Sequence, residues 1–265
     1  MGTYRLSQEA VEPVVDASRA LGYKMIDTAS VYRNEQGVGN AITRAIHSGK
    51  ITRQDLFITS KIGPKDQGLE KSYKAIQTSL LKLGSDVGYL DLMLIHWPGT
   101  QSLKLDSLMN KMNRANTWNS LVRARDEGLV RAIGVSNYTL EHLKEVDPPP
   151  QVNQIEFHPL VYDDTMKRLL EYCHAHNIIV QSYSTLAEGK LVNGSWELPE
   201  LVEMARQKGV TQAQILFRWS MNKGCPIIPK SAQSDRLKEN LASLSIQLSE
   251  EVFCRHIHFV GDAYP

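Results

Sequence analysis

The chain has 265 residues, 42% of them hydrophobic and 22% charged, with 30 Lys plus Arg against 29 Asp plus Glu. That is the size of one ordinary globular domain, and a formal charge of +1 excludes any overall pull toward nucleic acid or membrane, so an anion site has to be local. Cys173, Cys225 and Cys254 lack zinc or dithiol spacing, the start lacks signal or transit character, and no stretch is apolar enough to span a bilayer, so a cytoplasmic protein with reduced thiols is expected.

In chain order, only Met1 to Tyr4 precede a helix expected to begin near Ser7. The first strand candidate, YKMIDTA, contains Asp27 near its end and is followed by Tyr32. GVGN at Gly37 to Asn40 follows no strand directly and lacks the spacing of a dinucleotide fingerprint, which disfavours a Rossmann domain. DLFITSKIG carries Lys61, an amphipathic segment runs from Glu70 to Leu83, and LDLMLIHW carries His96. VRAIGVSN includes Gly134, which serves either close approach at a barrel mouth or packing. Asp147 to Pro150 forms a stiff loop into QVNQIEFH. A helix from Thr165 to His176, the strand NIIVQSYS, a helix from Leu198 to Lys208 and the strand CPIIPKS then alternate. Apolar runs separated by helices long enough for crossovers mean a parallel sheet of βα units. A closed barrel needs eight strands and these are seven. Either the chain begins inside the remaining strand or residues precede Met1.

Four polar residues fall at the carboxyl ends of the first three strand candidates: Asp27, Tyr32, Lys61 and His96. In a parallel α/β barrel that rim carries the chemistry. If Lys61 faces the interior, then Thr59 and Phe57 do as well; if His96 does, Leu94 and Leu92 follow, with Ile58, Met93 and Ile95 under helices. These residue types suit proton donation to a carbonyl oxygen, with an ammonium at Lys61 making the Tyr32 phenol a stronger acid near neutrality and Asp27 keeping Lys61 charged.

GYKMIDTASVYRNEQGVG, ITSKIG, LDLMLIHWP, IGVSN, NQIEFHP and IPKSAQSDRLKEN occur in this order, and together they resemble the aldo-keto reductase family from Gly2 to about Asn240. The resemblance implies a (β/α)8 TIM barrel, here one domain over residues 1–265 without the amino-terminal hairpin and most of strand one. It implies NADPH as cofactor and reduction of aldehydes or ketones, with Tyr32 as general acid, Lys61 and Asp27 tuning it and His96 orienting the carbonyl. It further implies that Ser136, Asn137 and Gln154 bind the nicotinamide carboxamide and that Tyr183 stacks on the ring. Lys230, Ser231 and Arg236 correspond to a clamp on the 2′-phosphate, with Glu239 and Asn240 near the adenine. Thr3, Asp27, Ser184 and Leu186 complete the cofactor set, and Tyr4 and Trp97, with Tyr32 and His96, wall the substrate pocket. The expected partner is a small-molecule carbonyl substrate, with no nucleic acid, no membrane and no metal, for a monomeric protein.

Each residue also has a blander reading. A lone histidine ending a strand is more often structural than catalytic, and Lys230 and Arg236 could be a solvated basic face. The joint pattern outweighs these. His158 is expected to be a structural rim residue, Cys225 and Met221 core, and His256 and His258 loop residues rather than metal ligands. A rival from another class is a catalytically weak NADPH-binding regulatory or structural protein on the same barrel.

Overall fold

The computed structural model describes residues 1–196 and 198–248. Cys254, His256 and His258 lie outside the described residues. The chain divides into two compact units, the first comprising Met1–Asn153 with Lys230–Ser234, the second Gln154–Pro229 and the chain from Asp235.

In the first unit, four strands alternate with helices: α1 (Gln8–Ala20), β1 (Met25–Asp27), α2 (Glu35–His47), β2 (Phe57–Ile62), α3 (Leu69–Leu83), β3 (Leu90–Ile95), α4 (Leu108–Asp126) and β4 (Val130–Ser136). The short α5 (Leu140–Leu143) follows. Ser7 caps α1 by accepting the Ala10 N–H at 3.2 Å, which fixes the start that the sequence marks. The strands pair in parallel and in chain order, with Asp27 opposite Thr59, Lys61 opposite Leu94 and Leu94 opposite Gly134. Beyond β1, the Asp27 N–H donates to the Met1 carbonyl at 2.8 Å and Thr3 N–H to the Asp27 carbonyl at 2.9 Å, so Gly2 forms a parallel bridge where the remaining strand belongs.

The alternation inferred from the sequence holds through most of each strand. Ile58, Met93 and Ile95 are fully buried, and on the opposite face Leu92 and Leu94 pack with Ala132 and Val152. Phe57 departs from it: at the first position of β2, at the end of the Lys61 column, it is 37% exposed. Gly134 is a packing glycine, because a Cβ there would come within 2.6 Å of the Val152 carbonyl and 2.8 Å of Leu94 Cδ2. The glycines of GVGN lie inside α2, where a Cβ on Gly37 would come within 2.5 Å of Val11 Cγ1 and one on Gly39 would fall on the Leu83 backbone. They let helices approach closely. At the amino ends of the strands, buried Arg53 donates to the Val87 carbonyl at 2.8 Å and to Asp91 at 2.7 Å, and the same carboxylate oxygen accepts the Ile58 N–H at 2.8 Å. This pairing accounts for an aspartate in an otherwise apolar strand.

β5 (Val152–Glu156) leads into the second unit, which contains α6 (Asp164–Ala175), β6 (Ile179–Tyr183), α7 (Pro199–Lys208) and α8 (Gln212–Asn222), with α9 (Ser234–Ala242) running into it. Its helices are capped locally: Asp163 accepts the Met166 N–H at 2.8 Å, Thr211 and Gln214 cap α8 reciprocally, and Gly209 ends α7 at φ 63°. The core stacks Phe157 on Trp219 at 4.8 Å. CPIIPKS, expected as a strand, contributes one parallel bridge, Ile227 to Ser182. Pro226 and Pro229 remove two donors from that run, leaving it too few N–H groups for a longer ladder.

Candidate active site

Asp27 closes β1, Tyr32 ends the 3-10 turn Ser30–Tyr32 that follows, Lys61 is the penultimate residue of β2 and His96 follows β3 directly. Parallel register therefore sets them side by side. Lys61, 1% exposed, places its Nζ 2.5 Å from Asp27 Oδ1, 2.9 Å from the Thr28 carbonyl and 3.4 Å from the Tyr32 hydroxyl. Three acceptors thus meet the three protons of an ammonium, the condition under which a buried charge is tolerable.

Burial works against the charge on Lys61, but Asp27 and Tyr32 overcome it and hold its pKa above the ordinary value. At Tyr32 burial is the strongest influence and raises the phenol above its usual value; Lys61 pulls it down, Asp27 pushes it up, and the net direction is upward. This corrects the expectation of a stronger acid near neutrality. Lys61 offsets part of the cost of burying a phenolate, and Tyr32 keeps its proton throughout the neutral range. Burial, then the charge of Lys61, depress His96 from 6.5 to about 3, so its imidazole is neutral. Its buried Nδ1 has no hydrogen-bond partner among the described residues.

Four rings form a continuous row. Tyr4 lies 5.2 Å from Tyr32, Tyr32 meets His96 edge-on at 5.7 Å, and His96 lies 6.4 Å from Trp97 at 26°. Tyr4 and Trp97 are 49% and 47% exposed, which leaves the two ends of the row open to an apolar ligand.

Other residues singled out from the sequence lie in the same unit. Thr3 is buried, and both its N–H and its hydroxyl donate to the Asp27 carbonyl, at 2.9 and 3.1 Å. Ser136 ends β4, and Asn137 follows in the left-handed region at φ 63°, its amide donating to the His96 carbonyl at 2.9 Å and to Ser136 Oγ at 3.2 Å. Asparagine tolerates this conformation better than other non-glycine residues, because its short polar side chain hydrogen-bonds locally. Lys230 is exposed, and Ser231 Oγ accepts the Gln233 N–H at 3.0 Å in the turn before α9.

In the second unit, Gln154 donates to Gln181 at 2.8 Å, Tyr183 ends β6, Ser184 has φ 49°, and the Leu186 carbonyl accepts the Gly189 N–H at 2.9 Å. Arg236, Glu239 and Asn240 lie on α9: Arg236 is exposed, Glu239 accepts the Thr211 hydroxyl at 2.7 Å, and buried Asn240 accepts from Ser243 at 2.6 Å. Neither Lys230 nor Arg236 forms an ion pair among the described residues. An exposed lysine beside a serine is a donor set suited to a phosphate, which is the fit a phosphorylated dinucleotide requires. His158 is fully buried with Nε2 3.3 Å from Glu156.

Two residues went unmarked in the sequence. Gln67, 3% exposed, donates to the carbonyls of Trp97 at 2.6 Å and Gly99 at 3.1 Å, bracing the loop behind Trp97, and Asn34 is fully buried beside Thr3 and Thr28. An amide in a loop or at a helix start is ordinary in sequence, and only burial distinguishes these.

A parallel α/β sheet with tyrosine, lysine, aspartate and histidine gathered at its strand ends defines an oxidoreductase of the barrel class. The profile of the Aldo/keto reductase family matches residues 1–256, and the chain belongs to that family. It is 38% identical over 257 residues to a glyoxal reductase of Bacillus subtilis, covering 95% of this chain and 84% of that one. It is 39% identical over 234 residues to the uncharacterized oxidoreductase YtbE of the same organism, covering 87% and 76%. Among solved structures, an aldo/keto reductase from Brucella melitensis superposes with a TM-score of 0.82 at 35% identity, covering 97% of this chain and 92% of that one. An aldo-keto reductase from a Medee basin deep-sea metagenome gives 0.83 at 33% identity, covering 96% and 88%. The fold is therefore that of the (β/α)8 barrel, and the activity is that of an oxidoreductase acting on carbonyl groups. No described helix is long and apolar enough to cross a membrane.

Proposed function

We propose that this chain reduces aldehydes or ketones to alcohols with NADPH, Tyr32 serving as the general acid. The observation that carries the reading is the buried Lys61 ammonium, held by Asp27 at 2.5 Å and donating to the Tyr32 hydroxyl at 3.4 Å. A buried cation costs several kcal/mol unless paired, and here its pairing directs it at a phenol. NADPH, when bound, supplies the hydride.

The chain's own residues do the rest. Tyr32 carries its proton at neutral pH and gives it to the carbonyl oxygen as negative charge develops there, a transfer typically worth about 10² to 10⁴ in rate. Lys61 stabilises the phenolate left behind, and Asp27 keeps Lys61 charged. His96, neutral because burial and Lys61 depress it to about 3, orients the carbonyl oxygen by a hydrogen bond that needs no imidazolium. Tyr4 and Trp97 wall the pocket, which favours an apolar or aromatic substituent on the carbonyl.

The cofactor assignments follow the family resemblance. Ser136, Asn137 and Gln154 hold the carboxamide, Tyr183 stacks on the nicotinamide, and Thr3, Asp27, Ser184 and Leu186 complete the cofactor contacts. Lys230, Ser231 and Arg236 hold the 2′-phosphate and favour NADPH over NADH, with Glu239 and Asn240 at the adenine. The unpaired state of Lys230 and Arg236 among the described residues supports this part. The reading takes residues 1–265 as one barrel domain, working as a cytoplasmic monomer. It is tested by steady-state turnover of a panel of aliphatic and aromatic carbonyls, glyoxals included, with NADPH and with NADH; no turnover with any of them would sink it.

A further inference from the structure

Asn34 occupies the N-cap of α2, yet its side chain makes no capping hydrogen bond. An asparagine there ordinarily accepts an N–H from the first turn of its own helix. Here the amide is turned the other way: Nδ2 donates to the Thr3 carbonyl and to the Leu6 carbonyl, each at 2.9 Å, and Oδ1 accepts the Thr28 hydroxyl at 3.0 Å. The side chain is fully buried.

Thr3 and Leu6 are the two ends of a turn. The Leu6 N–H donates to the Thr3 carbonyl at 3.1 Å, leaving Tyr4 and Arg5 as the central residues, and Arg5 has φ 60°. That position favours glycine, and an arginine in it has little intrinsic tendency to keep the turn closed. An external brace is needed. Asn34 grips both end carbonyls at once, and the residue presented at the corner is Tyr4, whose ring lies 5.2 Å from Tyr32. Asn34 is also two residues beyond Tyr32, so one amide ties the segment carrying Tyr4 to the segment carrying Tyr32.

We infer that Asn34 is a positioning residue: its amide clamps the Thr3–Leu6 turn so that Tyr4 stands against Tyr32, and through Tyr4 it sets which carbonyl substituents the site accepts. This rests on the reading of Tyr32 as proton donor, and goes beyond it by assigning the discrimination to a residue that touches neither substrate nor cofactor.

The test uses the full chain, with hydrogen–deuterium exchange and steady-state kinetics for wild type, Asn34→Ser, Tyr4→Ala and the double variant. Asn34→Ser should speed exchange at the amides of Thr3 and Leu6 about tenfold, the loss of two buried hydrogen bonds, with β3 unchanged. With NADPH, KM for an aromatic aldehyde should rise several-fold while kcat for a small aliphatic aldehyde holds, a split that mere loss of folded protein does not produce. In the Tyr4→Ala background the further change in KM should vanish. If Asn34→Ser does not fold, Thr28→Val removes a hydroxyl that orients the amide and should show the same pattern more weakly. Unchanged exchange at Thr3 and Leu6, or a KM change fully additive with Tyr4→Ala, overturns the clamp. A wild-type chain that turned over no carbonyl would instead overturn the reductase reading, while the exchange measurement, which needs no turnover, still reports on the clamp.

Discussion

Lys61 donates to the Tyr32 hydroxyl at 3.4 Å and lies 5.1 Å from the centre of its ring, so the ammonium sees both the oxygen and the aromatic face of one residue. The long hydrogen bond explains why Lys61 lowers the phenol's pKa without overcoming burial. Tyr32 is consequently a proton store at neutral pH. Removing the proton while keeping the ring tests this: Tyr32→Phe should cut carbonyl reduction by about 10² or more, with cofactor affinity by fluorescence titration unchanged. The wild-type rate of reduction should in turn stay level through neutrality and fall only above pH 10, where the raised phenol at last ionises.

Lys61→Met should be both inactive and unstable. It takes the Lys61 cation away from the buried Asp27 carboxylate, a loss of about 3 to 5 kcal/mol. Adding Asp27→Asn should restore most of the melting temperature and none of the activity, because the pair then leaves no uncompensated charge but still lacks the cation beside Tyr32. If the double variant melted no higher than Lys61→Met, the ion pair would not be the source of the instability.

His96 gives the protein an acid-sensitive term. Its pKa is about 3 when folded against 6.5 when exposed, so between these values the unfolded chain carries a proton that the folded chain refuses. Stability from this residue is complete above pH 6.5 and declines as pH falls toward 3, with a limiting slope of about 1.4 kcal/mol per pH unit. Denaturant titrations of wild type and His96→Gln across that window should show a shallower decline for the variant; parallel curves would place the acid sensitivity elsewhere.

Arg236→Ala should weaken NADPH by roughly 1.5 to 3 kcal/mol and barely affect NADH, since it removes a hydrogen bond to a charged phosphate. Raised salt should mimic part of that loss for NADPH alone. Equal losses for both cofactors in a binding titration would return Arg236 to an ordinary solvated face.

Gly39→Ala should lower the melting temperature although alanine is the better helix former, because the added methyl would meet the Leu83 backbone, which cannot rotate away. Turnover per folded molecule should be preserved, since the clash lies between α2 and α3. A rise in melting temperature would mean that α3 shifts at little cost.

The alternation of apolar runs with amphipathic segments determined the class of fold by itself, because strand and helix periodicities are local and each βα unit repeats them. The same local reading put Asp27, Lys61 and His96 at strand ends, where parallel register could only bring them together. It failed where neighbours decide. The run CPIIPKS looked like a strand but makes one bridge, and the phenol that a nearby ammonium should acidify is instead raised, because burial outweighs that charge. Asn34 was invisible in the sequence for the same reason. An asparagine before a helix is read as its cap, and only the folded arrangement, by bringing the carbonyls of Thr3 and Leu6 within 2.9 Å, offered the amide a different partner.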